Sequence, residues 1–138
     1  MVRHLKRGAL VAVVLAAVSA CGNGDEEDEA SRLKRERCGR IGRAACASLV
    51  RCRAGVGSTG KVFTVGLCAE AEPSLASQCA SDPATAAVGT ASEAQIAACV
   101  SAFEAAPCSS ICNQVPQDPA ECRALDPTPN EDFISCAP

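Results

Sequence analysis

Cysteine is the residue type through which this chain could do most chemistry, with 11 cysteines among 138 residues. Cysteine at this density in a short chain indicates a disulfide scaffold formed in an oxidising compartment. The closest pair is Cys108 and Cys112, so the chain lacks the C-x-x-C spacing of thioredoxin-type redox sites and zinc ribbons. The only histidine is His4, which leaves the remaining chain without an imidazole for acid–base catalysis or for zinc. We therefore predict disulfides, no metal or other cofactor, and no enzymatic activity.

Two chemical alternatives are less favoured. Four cysteines from separate parts of the chain could hold a metal ion, although oxidation outside the cytoplasm competes with such a site. Two carboxylates could act as a general acid and a general base, but no polar pattern in the sequence singles out a pair. We therefore rank a small enzyme below a non-enzymatic protein.

Residues 1–20 have the order of an export signal. Three positive charges come first, from Arg3, Lys6 and Arg7. An apolar run follows, Leu10 to Val18, which is too short to span a bilayer comfortably as a mature helix. The run ends in Val18-Ser19-Ala20-Cys21, which resembles the lipobox of bacterial lipoproteins. The resemblance implies that the signal is cut before Cys21 and that this cysteine is acylated and anchors the chain in a membrane.

The number of cysteines supports the lipobox interpretation. Lipidation of Cys21 would remove the eleventh cysteine and leave ten for five disulfides. Several acyl chains on one residue would anchor the chain stably, whereas one chain binds only marginally. In Gram-negative lipoproteins an Asp in the next position commonly signals retention in the inner membrane; Gly22 stands there, so the resemblance favours the outer membrane. The alternative is an ordinary secretory signal cut near Ala20, with Cys21 left as a free or paired thiol.

An acidic segment separates Cys21 from the rest of the chain. Residues 25–29 are five consecutive carboxylates, which repel one another and do not fold alone. A calcium loop would need acids at alternate positions around a glycine turn. We therefore predict that residues 21–31 are the lipidated cysteine and a disordered tether, that residues 32–125 form a disulfide-rich helical domain, and that residues 126–138 are a Pro-rich tail tied by Cys136.

Two cysteine-bearing segments predict a helical hairpin. Cys38 and Cys52 are fourteen residues apart, which leaves them about 40° apart around a helix. Cys68 and Cys79 are eleven residues apart, about 20° by the same arithmetic. Two antiparallel helices could then be linked by Cys52–Cys68 near the turn and by Cys38–Cys79 at the open end. Pro73 either kinks the second helix or begins it.

A third helix is predicted to begin at a capping box, Thr90 to Glu93. Cys46 lies about 80° from Cys38 around the first helix, so we predict that it meets Cys99 in the third. Two more disulfides would come from the last four cysteines, Cys108, Cys112, Cys122 and Cys136. The predicted fold is thus all-α: a small disulfide-linked three-helix bundle, made of an α-hairpin and a third helix, with short C-terminal helical turns.

The first helix is strongly basic. Residues 32–53 carry eight Lys and Arg side chains against Glu36. Such a face could bind nucleic acid, anionic lipid or lipopolysaccharide. The alternative that we favour is pairing with the ten acids that follow Leu67. No nucleic acid partner is expected, because no aromatics are interleaved for stacking and the chain from Cys21 has ten basic and sixteen acidic residues.

The segment from Gly55 to Lys61 matches most of a P-loop pattern. Val62 stands where Ser or Thr should hold Mg²⁺, and no apolar strand precedes the glycines. We therefore predict no nucleotide and interpret the glycines as a flexible connection between the first two helices.

Three cysteine-bearing segments carry a wider resemblance: Ala45 to Cys52, Leu67 to Cys79, and Ala98 to Cys108. Together they look like small Cys-rich, Ala-rich predicted lipoproteins of myxobacteria and their relatives. The likeness covers roughly residues 38–122 and lies in spacing more than in identity. It implies a lipoprotein of unassigned activity and carries over no active-site residues.

The expected function is that of a lipid-anchored envelope protein, exported and attached to a membrane through acylated Cys21. It would act as a non-enzymatic binding or structural module with an envelope protein as its possible partner. The alternative is a secreted-side inhibitor or ligand, in which the loop from Arg53 to Lys61 would enter a protease cleft; this rests on shape alone.

Overall fold

The structure, a computed structural model, describes residues 28–56, 61–128 and 130–137. The predicted signal at 1–20, the lipid-attachment residue Cys21 and most of the acidic tether lie outside the described residues.

Helix α1, Glu29–Arg51, is the longest element. It begins at Asp28, whose carboxylate accepts a hydrogen bond from the Ser31 backbone N–H at 2.8 Å. Glu29 in the first turn and Arg51 in the last are the charges that suit the two ends of the helix dipole. The end of the predicted tether, residues 28–31, is therefore the cap and first turn of α1.

A β-hairpin connects α1 to the second helix. Strands β1, Ala54–Val56, and β2, Lys61–Val62, are antiparallel, with Gly55 opposite Val62. Helix α2, Val65–Ser81, then begins at Thr64, whose hydroxyl accepts the Leu67 N–H at 3.2 Å. Pro73 lies inside α2, so the interpretation in which the helix starts at this proline is wrong.

The second half of the chain consists of shorter elements. A 3₁₀ turn, Pro83–Thr85, leads into α3, Ala86–Thr90, and α4, Glu93–Ala105. A 3₁₀ turn at Cys108–Ser110, α5 at Ala120–Arg123 and strand β3 at Ile134–Cys136 follow. The predicted short C-terminal helical turns are thus represented by α5, whereas residues 130–133 further along the tail are not helical.

The capping box of α4 lies two residues beyond the predicted one. Ser92 accepts the Gln95 N–H at 3.2 Å, and the Gln95 side chain accepts the Ser92 N–H at 2.8 Å. Thr90 is the last residue of α3, so it is not the cap of α4. Both Thr-x-x-Glu and Ser-x-x-Gln satisfy the pattern, and local sequence does not choose between them.

The prediction of an all-α fold is corrected by a three-stranded sheet. Its order is β2-β1-β3, and β1 pairs antiparallel with both neighbours. Ala54 lies opposite Cys136, and the Ala137 N–H donates to the Arg53 carbonyl at 3.1 Å. Residues 134–136 of the predicted tail therefore pair with β1, the middle strand of the sheet. Strands of two or three residues are too short to show an alternating pattern.

The molecule is mostly helical, but the predicted three-helix bundle is not confirmed. Helix α1 packs against α2, α3 and α4, while α2 and α4 make little contact with each other in the described part. One core cluster lies where α1 meets α3, α4 and α5, with Val88, Ile96 and Cys99 almost fully buried. A second lies under the sheet and includes Ala54 and Ile134. Helix α1 is therefore the element against which both α2 and α4 pack.

Five disulfides use all ten cysteines of the described residues, and their pattern divides the chain into two halves. Cys38–Cys79 and Cys46–Cys68 lie within the α1–α2 hairpin. Cys99–Cys122 and Cys112–Cys136 lie within the second half. Cys52–Cys108 alone joins the hairpin to the second half.

The predicted Cys38–Cys79 bond is present, but the other two specified bonds are wrong. The Cys52–Cys68 prediction treated Cys52 as helical, whereas it is the C-cap that follows the last helical residue of α1. Its side chain is buried with the cluster under the sheet. Cys68 bonds Cys46 instead.

Cys46–Cys99 is wrong because Cys99 is fully buried toward α5 and bonds Cys122 there. The last four cysteines also do not form two bonds among themselves. Only Cys112–Cys136 lies within that set.

Candidate binding groove

The basic face of α1 is largely used inside the molecule. Arg37 is 8% exposed and donates to the carbonyls of Val88 and Gly89 at 3.2 and 2.8 Å, which caps the end of α3. Its Nη2 also lies 3.2 Å from Glu93 Oε1. Arg40 Nη1 is 2.7 Å from the other oxygen of Glu93. Two arginines of α1 therefore hold the start of α4 through one carboxylate.

Further basic side chains of α1 contact α2 and the turn that follows it. Arg43 forms an ion pair with Glu72, and Lys34 Nζ donates to the Asp82 carbonyl at 2.9 Å. These contacts favour internal pairing over a basic surface reserved for nucleic acid or anionic lipid. Of the ten acids that follow Leu67, Glu72 and Glu93 form ion pairs with α1 in the described part of the chain.

Glu93 should give the stability of the protein a pH dependence. The hydrogen bond from Arg40, and then that from Arg37, hold the pKa of Glu93 below its ordinary value of 4.5. A lowered pKa means that the stabilisation is complete above pH 4.5 and is lost as pH falls through the folded-state value. We expect Glu93→Gln to flatten the acid side of the curve of unfolding free energy against pH, measured by urea denaturation.

Glu70→Gln is the matched control, since Glu70 is exposed on α2. It should leave the acid side of the curve as steep as in the wild-type protein. An acid limb equally steep in Glu93→Gln would show that the contacts to Arg37 and Arg40 do not carry the effect.

An apolar cavity of about 770 Å³ lies between the two halves of the molecule. The floor is α1 from Gly42 to Leu49, where every lining residue except Leu49 is small. Phe63 and Leu75 from the hairpin half line it, together with Phe103 and Ile134 from the second half. We call this cavity the seam groove. It exists because α2 and α4 both pack on α1 but not closely on each other.

A second apolar cavity, of about 560 Å³, lies between α1 and α2. Its lining includes Ile41, Val50 and Val65, and its charged residues are Arg43, Arg51 and Glu72. Leu75 lines both cavities and is 53% exposed. The second cavity therefore carries basic groups at its edge, and it lies within one disulfide-linked unit rather than between two.

The edge of the seam groove is acidic. Its charged lining residues are Asp118, Glu121 and Asp132, and no Lys or Arg is among the described lining residues. Asn130 donates to Asp118 Oδ1 at 3.0 Å and to the Pro116 carbonyl at 3.2 Å, which ties the two acidic segments together. We call these three acids the acidic rim. None of them takes part in an ion pair within the described residues.

Two hydroxyls line the seam groove, and both are engaged locally. Ser48 is 2% exposed and donates to the Ala45 carbonyl at 2.6 Å in the same helix. Ser110 donates to the Pro107 carbonyl at 2.7 Å. The geometry of the groove favours binding of an apolar group over attack by a nucleophile.

The residues singled out in the sequence fall mostly outside this groove. The Arg53 to Lys61 loop starts just before β1 and ends at the start of β2, and residues 57–60 at its tip lie outside the described residues. The P-loop-like pattern falls on the same β-hairpin, where an added Cβ on Gly55 would lie 3.0 Å from the Lys61 carbonyl. This close approach explains why a residue without a Cβ stands at position 55.

Searches for two other features are negative in the part of the chain that the structure describes. No group of three or more His, Cys, Asp or Glu side chains there is placed to hold a metal ion. No helix among the same residues is long and apolar enough to cross a membrane.

The seam groove itself was missed from the sequence. Its lining comes from six separate segments, so no local pattern marks it. One available signal was composition: in a chain with only three Phe, Phe63 and Phe103 both line the groove and both are only partly buried.

Comparisons with protein-family models, with curated proteins and with solved structures find no match.

Proposed function

We propose that the protein is an exported, lipid-anchored binding module of a bacterial cell envelope, attached to the membrane through acylated Cys21. The lipobox resemblance of residues 18–21 supports the anchor. Five disulfides are compatible with an exported protein. The residue after Cys21 favours the outer membrane by the same resemblance. The acidic segment at 22–27 would connect the lipid to α1.

The seam groove is the observation that carries the binding function. It is apolar, it has the size of a ligand pocket, about 300–1,000 Å³, and Leu75 at its wall is 53% exposed. Cys52–Cys108 holds its two sides together across the halves of the molecule. A groove fixed in this way is pre-organised, which lowers the entropy lost on binding.

A binding role is proposed rather than catalysis because of the groups that are present. The hydroxyls of Ser48 and Ser110 donate to nearby carbonyls, and the sequence from Leu5 onward contains no imidazole to activate them. We therefore assign the groove to recognition of an apolar group of an envelope partner.

The anchor is tested by Cys21→Ser expressed in the native bacterium. We expect the variant to run as a larger, unacylated precursor, because the residue that would be acylated and before which the signal would be cut is gone. The measurement is an immunoblot of fractionated cells, with the two membranes separated by density. Asn23→Ser is the matched control, since it lies two residues away and leaves the lipobox intact. A Cys21→Ser protein that is still cut to the size of the wild-type protein would contradict the anchor.

A further inference from the structure

We propose that the seam groove binds a cationic amphipathic helix of a partner protein. The inference rests on the binding role proposed above and specifies its partner. The helix would place apolar side chains against the groove and lysines or arginines beside the acidic rim.

The negative charge at the edge of the seam groove favours a positively charged partner. Asp118, Glu121 and Asp132 stand at the edge of an apolar surface, and no described lining residue carries a positive charge. Three basic side chains of α1 are engaged away from the rim: Arg37 and Arg40 with Glu93, and Arg51 with the carbonyls of Glu104 and Ala106. A positive group at the end of an apolar one would therefore be attracted, whereas phosphates and anionic lipid head groups would be repelled.

The segments of this chain outside the described residues do not suit the groove as occupants. After Cys21, residues 22–27 and 57–60 contain only Gly, Asn, Asp, Glu, Ser and Thr, so neither offers an apolar side chain. Residues 25–27 would also bring three carboxylates to an acidic rim. Residues 1–20 carry both apolar and positive groups, but the proposed cut before Cys21 removes them. An occupant of the mature protein with both kinds of group must therefore come from another molecule.

The dimensions of the floor favour a helix. The α1 floor runs from Gly42 to Leu49, seven steps along the helix, which is about 10 Å at 1.5 Å per residue. Apolar anchors at i, i+4 and i+7 of a bound helix cover the same length. The acidic rim belongs to the C-terminal segment, which lines the same groove as this floor.

The test uses the mature chain from residue 21 with Cys21→Ser, made without residues 1–20, because it has neither acyl chains nor the apolar signal and needs no detergent that could fill the groove. The probe is a short alanine-based helical peptide with leucines at i, i+4 and i+7 and lysines at its other exposed positions. A matched peptide has glutamate in place of every lysine. Fluorescence anisotropy at low salt should show that the lysine peptide binds at least tenfold more tightly than the glutamate peptide.

The acidic rim is tested by Glu121→Lys/Asp132→Lys. Both side chains are exposed, and circular dichroism should show an unchanged fold. We expect this double variant to bind the lysine peptide about tenfold more weakly and the glutamate peptide more tightly, since attraction at two exposed charge pairs becomes repulsion. Glu36→Lys/Glu70→Lys changes the net charge equally on exposed helix positions away from the groove. It should leave both affinities within about twofold.

Several results would overturn the proposal. One is equal affinity of the wild-type groove for both peptides, and another is no binding of the lysine peptide. A loss in the control double variant as large as in the rim variant would remove the specific role of the rim. Binding to phosphatidylglycerol vesicles without binding to the peptide would point to lipid instead, and self-association that the lysine peptide cannot reverse would point to a second copy. None of these results depends on acylation of Cys21, so a failed groove and a failed anchor give separate outcomes.

Discussion

Replacing Cys52 and Cys108 together by alanine is expected to lower the free energy of unfolding by about 4 kcal/mol, from the entropy of closing a loop of this size. The two residues are 56 positions apart, and theirs is the one disulfide that joins the α1–α2 hairpin to the second half of the chain. Without it, the β1–β3 pairing and the contacts of α1 with α3 and α4 must hold the halves together. The measurement is urea denaturation in non-reducing buffer, followed by circular dichroism.

Cys112→Ala/Cys136→Ala is the control, because its bond spans 24 positions within the second half. It should lower the unfolding free energy by about 3 kcal/mol. Hydrogen exchange separates the two variants further. Loss of Cys52–Cys108 should speed exchange on both walls of the seam groove, near Phe63 and near Phe103. Unchanged exchange there in the Cys52/Cys108 variant would contradict the assignment of this bond as the link that holds the groove.

The second large effect is expected for Ile96→Ala. Ile96 is fully buried in α4, where the core cluster includes Val88, Cys99 and Leu125. Truncation removes three buried carbon atoms and leaves a cavity that the neighbouring disulfide prevents from collapsing. We expect a loss of about 3–4 kcal/mol of unfolding free energy. For a chain of this size such a loss is a large part of the total stability.

Two matched substitutions are compared with Ile96→Ala to show that its loss of stability comes from burial. Ile96→Val should cost about 1 kcal/mol, because it removes only one methyl group. Leu75→Ala removes a large apolar side chain that is 53% exposed, so its cost should be well below that of Ile96→Ala. Equal losses for Ile96→Ala and Leu75→Ala would contradict the position of the core between α1, α3, α4 and α5.

Features of the α1–α2 hairpin were predictable where residues close together in the sequence determine them. The first cysteine of α1 and the last of α2 bond as the helical arithmetic indicated. Thr64 caps α2 through its hydroxyl, and threonine is a residue type that helix N-caps favour. The same arithmetic failed at Cys52, because one residue past the end of a helix the 100° rule no longer gives the direction of a side chain. Arg53, with φ at 52°, turns the chain toward β1 immediately afterwards.

The sheet and the seam groove required information that no local window contains. Ile134 and Cys136 pair with β1 although they lie about eighty residues later in the chain. The disulfide from Cys112 to Cys136 links this strand to the rest of the second half. The groove depends on α2 and α4 packing on different sides of α1. Helical periodicity shows which face of α1 is apolar, but it does not show which neighbours cover that face or what they leave open.

The most direct test of the whole account is a mass-spectrometric map of the protein isolated from its native membranes, digested without reduction. The account predicts an acylated Cys21 at the mature N-terminus and five disulfide-linked peptide pairs, with Cys46–Cys68 and Cys52–Cys108 among them. An unmodified Cys21, or Cys21 joined to any of the other ten cysteines, would contradict the anchor. A Cys52–Cys68 pair would contradict the framework that holds the groove.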